Sequence, residues 1–149
     1  MSIIGILRDY FQAYPGFGSE RLELNCLPRE VDRCSIDAVP CEPIAKTYLD
    51  GSSVRQCQFT LSTRTYHSQD LRGQEANMAV FGGLADWLES KKFFRDLPNL
   101  GPGKKVRDVE ITSTAYPYIV SPDGTARYQV QLRLTYLQAV SYTHLRAHE

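Results

Sequence analysis

RYQVQLRLTYLQ, residues 127–138, is the stretch that decides the fold. Tyr128, Val130, Leu132, Leu134 and Tyr136 alternate with Gln129, Gln131, Arg133 and Thr135. That two-residue period belongs to a strand with one face buried and the other wet. Ser121-Pro122-Asp123-Gly124 just upstream suits a tight turn, with proline presetting φ and glycine free to take positive φ. VRDVEITSTAYPYIV, residues 106–120, reads as the strand that this turn pairs with it.

The same logic gives a second hairpin. PIAKTYL (43–49) and VRQCQFTLSTRTY (54–66) flank Asp50-Gly51-Ser52-Ser53, and Asp-Gly between apolar runs is a strong hairpin signal. Cys57, Phe59 and Leu61 alternate with Gln58, Thr60 and Ser62. RLELNCLP (21–28) adds a short strand in which Leu22, Leu24 and Cys26 share a face and Pro28 ends the run. Residues 29–43, with Pro40, Pro43 and mixed charge, read as irregular.

Two segments carry helical periodicity. Ile3, Leu7, Tyr10 and Tyr14, with Ile4 and Phe11, form one apolar stripe; Ser2 can cap it and Pro15-Gly16 ends it. The second helix is expected over Glu75–Ser90, with Ala76, Val80, Leu84, Trp87 and Leu88 inward and Phe81 beside them. Gly82-Gly83 inside it would cost about 1 kcal/mol per glycine, which close helix-to-sheet packing would explain. KKFFRDLPNLGPGKK (91–105) reads as a loop. The resulting order, α-β-β-β-α-β-β, predicts an α+β domain: an antiparallel sheet of about five strands with two main helices on one face.

Composition narrows the function. The chain has 149 residues, 42% hydrophobic and 23% charged, which fits one domain. Its 17 basic and 17 acidic residues cancel. A nucleic-acid partner is therefore not expected, because phosphate contacts usually demand a basic excess; a local basic patch would still be compatible with zero net charge. No run of apolar residues is long enough to span a membrane. MSIIGILRDYFQAYP lacks the basic region and cleavage site of a signal peptide, so a cytoplasmic setting is expected.

The groups that could carry chemistry are few. Cys26, Cys34, Cys41 and Cys57 include no CxxC pair, which argues against zinc or redox chemistry and for buried thiols. His67 could serve as a base for Cys57, but no active-cysteine signature surrounds either residue. Asp32, Asp37 and Glu42 lack a metal-ligand spacing. Gly101-Pro102-Gly103-Lys104-Lys105 falls short of the GxxxxGK[ST] phosphate loop. Lys91, Lys92 and Arg95 around Phe93 and Phe94 mix basic and aromatic residues as nucleic-acid grooves do. The plainer reading is a helix end, with lysines at its negative pole and phenylalanines in the core. No catalytic, cofactor-binding or metal residue is expected, no cofactor is implied, and the chain is not expected to be an enzyme.

The last ten residues stand apart. VSYTHLRAHE, Val140–Glu149, resembles the translation of a commercial transposase sequencing adapter at every position, and Ala139 is compatible with its preceding bases. Residues 1–138 are therefore expected to form a single native domain, and 139–149 a non-native tail. The His144 and His148 pair belongs to that tail and is not a metal site.

SIDAVPCEPIAKTYLDGSSVRQCQFTLSTRTY, EANMAVFGGLADWLE and GPGKKVRDVEITSTAYPYIV carry a family resemblance. Over residues 1–138 the chain resembles the minor capsid proteins of Firmicutes prophages, related to the tail terminators and tail-to-head joining proteins of long-tailed phages. The resemblance lies in general likeness and element order, with no diagnostic motif. It implies a homo-oligomeric ring, typically a hexamer, that caps the tail tube. The implied partners are other copies of the chain, the major tail-tube protein and the head–tail connector, in the virion after assembly in the host cytoplasm. A head-completion protein on the other side of the neck is the alternative within this class. A small nucleic-acid-binding module is the alternative outside it.

Overall fold

The computed structural model describes residues 2–15, 22–24, 33–66, 81–113, 116–120, 122 and 124–140. Its spine is a pair of long antiparallel strands, β4 (Ser53–Tyr66) and β7 (Thr125–Gln138). They pair without a break from Ser53 opposite Gln138 to Tyr66 opposite Thr125. This register places Phe59, Leu61, Val130, Leu132 and Leu134 on one face, all at most 2% exposed. Each such side chain contributes roughly 1.5–3 kcal/mol by leaving water.

Each spine strand carries an interrupted partner. On one side β2 (Arg33–Val39) and β3 (Ile44–Thr47) both run antiparallel to β4. Between them the outer chain advances from Val39 to Ile44 while β4 moves only from Gln58 to Arg55. Pro40 and Pro43, which lack a ladder N–H, sit in that bulge. On the other side β5 (Lys104–Ile111) and β6 (Tyr116–Val120) both pair with β7. A three-residue strand, β1 (Leu22–Leu24), lies parallel to β2. The seven strands form one mixed, mostly antiparallel sheet ordered β1-β2-β4-β7-β5, with β3 on β4 and β6 on β7.

Two described helices cover the apolar face. Helix α1 (Ile3–Phe11) starts at Ser2, whose Oγ accepts a hydrogen bond from the Gly5 N–H at 3.2 Å. Helix α2 spans Leu84–Phe93. Trp87 of α2 meets Tyr10, Phe11 and Tyr14 with ring centroids 5.4–5.7 Å apart, and Phe11 reaches Phe59 of the sheet at 5.6 Å. The two helices thus share one aromatic seam over the sheet.

The α+β class, the two hairpins and the presence of two helices are as expected, but the details differ, beginning with α2, whose described part starts at Leu84 and takes in 91–93, read as loop. Residues 33–39, read as irregular because of Pro40, Pro43 and mixed charge, form β2: Cys34 and Ile36 point to the core and alternate with the small polar Ser35 and Asp37. The expected strand 106–120 divides into β5 and β6. The sheet is not purely antiparallel, because β1 docks parallel to β2. Helix α1 ends at Phe11, leaving Tyr14 buried just beyond it. Gly82 and Gly83 precede α2 and do not interrupt it. A Cβ on Gly83 would lie 3.3 Å from the Tyr14 hydroxyl, so the close approach there is to the chain leaving α1 and not to the sheet. The portion of the expected helix at 75–80 lies outside the described residues, as do Cys26, Asp32, His67, His144 and His148.

The opposite sheet face is polar and internally paired. Arg127 Nη2 donates to Asp37 Oδ2 at 2.6 Å and to Ser62 Oγ at 3.0 Å, and Ser35 Oγ donates to the same carboxylate at 3.0 Å. Arg133 Nε donates to Glu110 Oε1 at 2.8 Å.

Candidate interaction surfaces

The segment after α2 is where local sequence and tertiary structure disagree most. The helix closes with a Schellman turn: the Arg95 N–H reaches the Lys92 carbonyl at 3.1 Å and the Asp96 N–H reaches the Lys91 carbonyl at 2.8 Å. Such a turn needs a left-handed residue, normally glycine, yet Arg95 holds it at φ 55°. Two contacts brace the turn. Lys91 Nζ pairs with Asp96 Oδ2 at 2.8 Å, and the Tyr10 hydroxyl donates to the Asp96 carbonyl at 2.9 Å. Burial, reinforced by the Asp96 carboxylate, pushes the Tyr10 phenol up to about 12.

The reversal decides which apolar residues go inside. Pro98 and Leu100 turn into the core and Leu97 packs on it. Phe93 and Phe94, expected in the core, stand 80% and 73% exposed. Their rings form an edge-to-face pair with centroids 5.1 Å apart.

Between this turn and β5 lies an open cavity of about 900 Å³. Lys92 and Arg95 wall it from the helix side, and Lys104, Lys105 and Arg107 from the strand side; no lining residue is acidic. Leu97, Val106 and Leu137 supply an apolar floor. Lys92 pairs with Asp108 at 2.9 Å. Among the described residues, Arg95, Lys104, Lys105 and Arg107 form no ion pair. Arg107 occupies the irregularity in the β5–β7 ladder between Val106 and Asp108. Bulges of this kind re-aim side chains. Gly101-Pro102-Gly103 makes the turn into β5, with Gly101 at φ 100° and Gly103 at φ 77°, so Lys104 and Lys105 open a strand and do not belong to a loop.

A second surface is the β3–β4 hairpin. All four β3 residues are exposed, including Ile44, and Leu49 at its tip is fully exposed. The edge of β3 away from β4 has no strand partner among the described residues, and neither does the edge of β5 away from β7.

Two of the described thiols, Cys34 and Cys57, are poor nucleophiles. Cys34 is buried, and burial, with Cys41 nearby, pushes the Cys57 thiol up. Along β4, Tyr66, the neighbour of His67, stands nine residues from Cys57, about 30 Å away at strand rise. His67, considered as a base for Cys57, lies outside the described residues. Asp37 is occupied by Arg127, and among the described residues no group of three His, Cys, Asp or Glu side chains converges on one point. No described helix is long and apolar enough to cross a membrane.

No protein-family model matches this chain, and no curated protein matches it. The surfaces above therefore carry the functional argument. Arg95 belongs to the basic–aromatic cluster visible in the sequence, whereas Arg107 carries no such signal; both line the one cavity, from a left-handed turn and a strand irregularity.

Proposed function

We propose that the chain is a non-enzymatic structural subunit of a long-tailed phage. In this reading it assembles as a homo-oligomeric ring, a hexamer by the family resemblance, that caps the tail tube and faces the head–tail connector. The observation that carries the reading is the pair of unlike edges without a strand partner among the described residues, β3 on one side of the sheet and β5–β6 on the other. A closed ring requires head-to-tail contact between two different surfaces of each copy. Ile44 and Leu49 give the β3 side apolar contact area. The bulges and prolines that interrupt both outer strands limit edge pairing to short runs, which favours a closed assembly over open-ended strand addition.

Light scattering on a size-exclusion column, across protein concentrations and with or without the cognate tail-tube protein, tests this. A discrete ring-sized oligomer is expected, alone or once tube protein is added. Ile44→Lys together with Leu49→Asp should reduce that oligomer while leaving the thermal unfolding of the subunit unchanged. A monomer at every concentration that ignores tube protein refutes the proposal.

A further inference from the structure

We infer that the trough between α2 and β5 binds single-stranded nucleic acid, with the phosphodiester backbone lying between Lys92/Arg95 and Lys104/Lys105/Arg107 and bases stacking on Phe93 and Phe94. This goes beyond the ring assignment and does not depend on it.

Charge is the first argument. The whole chain is neutral, yet this one concavity gathers five cations and no acid into its lining. Among the described residues only Lys92 has its charge offset, by Asp108; the nearby Asp96 is engaged by Lys91 outside the lining. Like charges so close repel one another, and a bound polyanion relieves that repulsion while releasing its own counterions.

Backbone geometry is the second. Both arginines are delivered by irregular backbone: Arg95 by a left-handed turn that disfavours any side chain, Arg107 by the strand irregularity. Such conformations persist where the surrounding structure imposes them and cluster at functional sites.

The aromatic pair selects the class of polyanion. A cationic groove tracking the backbone, flanked by exposed aromatic rings for successive bases, is the arrangement that binds single strands without sequence preference. Phe93 and Phe94 are exposed and fall between the lining residues Lys92 and Arg95 in the chain; neither ring lines the trough itself, so the bases would stack beside it. A duplex hides its base faces except at its ends, and an acidic peptide offers no succession of flat faces. At about 900 Å³ the trough is at the large end of ligand clefts. Its apolar floor suits sugar edges.

Fluorescence anisotropy with labelled oligothymidylate, using the full chain across a salt series, tests the inference. The four cations without ion-pair partners predict a slope of log affinity against log salt of about −3, at roughly −0.7 per neutralised phosphate. Lys105→Gln with Arg107→Gln should flatten that slope by about 1.4. Phe93→Ala with Phe94→Ala should weaken binding roughly tenfold or more while leaving the slope unchanged. These positions are exposed, and unchanged thermal unfolding confirms that each variant is folded. No binding at low salt overturns the inference. So does binding that both double variants retain in full. Equal competition by a duplex or by polyglutamate also overturns it, since that would make the trough a general polyanion or acidic-peptide site.

Discussion

Replacing Arg95 by glycine should make this protein more stable and a weaker binder. Arg95 sits at φ 55°, where a residue with a Cβ costs about 1–2 kcal/mol relative to right-handed geometry. Glycine removes that cost but adds about 0.5–1 kcal/mol of unfolded-state entropy. The Arg95 side chain forms no ion pair among the described residues, so little is lost with it. The net gain is about 0.5–1 kcal/mol, or roughly 2–4 °C in Tm for a chain of this size. Urea unfolding followed by tryptophan fluorescence is the natural assay: Trp87 is the sole tryptophan and lies in the seam between α1 and α2. Arg95→Ala is the control, because it removes the charge and keeps the strained backbone. The expected order of stability is Gly above Arg, with Ala no better than Arg. Both variants should lose oligonucleotide affinity. If Arg95→Gly is no more stable than Arg95→Ala, the strain argument fails and the arginine is held by its own contacts.

Three further outcomes follow from the packing. Phe11 is fully buried between Phe59 and Trp87, so Phe11→Ala should cost about 3–5 kcal/mol in the same urea assay. Asp37→Ala takes the carboxylate from the partly buried Arg127 guanidinium, which keeps its bond to Ser62 Oγ, and should cost roughly 1–3 kcal/mol. A double variant, Asp37→Leu with Arg127→Met, should recover most of that loss in thermal melts. Tyr10 is held protonated in the fold up to about pH 12 against an ordinary 10, so the folded state binds more protons than the unfolded one between those values. Stability should fall as pH rises from 10 to 12, by about 1 kcal/mol after discounting for partial exposure. Tyr10→Phe should remove that part of the decline when unfolding is compared across the window.

Much of the architecture was legible because its signals are local. The alternation in 127–138 and 54–66 places the same residues on the core face that the register does. Gly51 and Gly124 take the positive φ that their turns require. The missed strand, β2, does alternate Cys34, Ile36 and Ala38 with Ser35 and Asp37, but the run is short and sits in a proline-containing stretch of mixed charge; Ser35 and Asp37 are buried or half-buried because they bond each other and Arg127. The candidate site was half legible. Lys91, Lys92 and Arg95 around Phe93 and Phe94 were recognisable as a basic–aromatic cluster, but 91–105, read as a loop, is helix to Phe93 and strand from Lys104. That Phe93 and Phe94 face solvent was not, since apolar residues after a helix ordinarily turn inward.

The sequence by itself determined the α+β class, the two hairpins and the neutrality of the chain. These depend on residue type and on spacing along the backbone. Tertiary structure alone decided which residues after α2 enter the core, because that choice rests on a left-handed arginine braced by Tyr10 from another helix. It also decided that the cations of two segments, separate in sequence, share one cavity. The physical reason is common to both: hydrophobic period is written in neighbouring residues, whereas a turn's direction and a cavity's charge are set by partners far away in the chain.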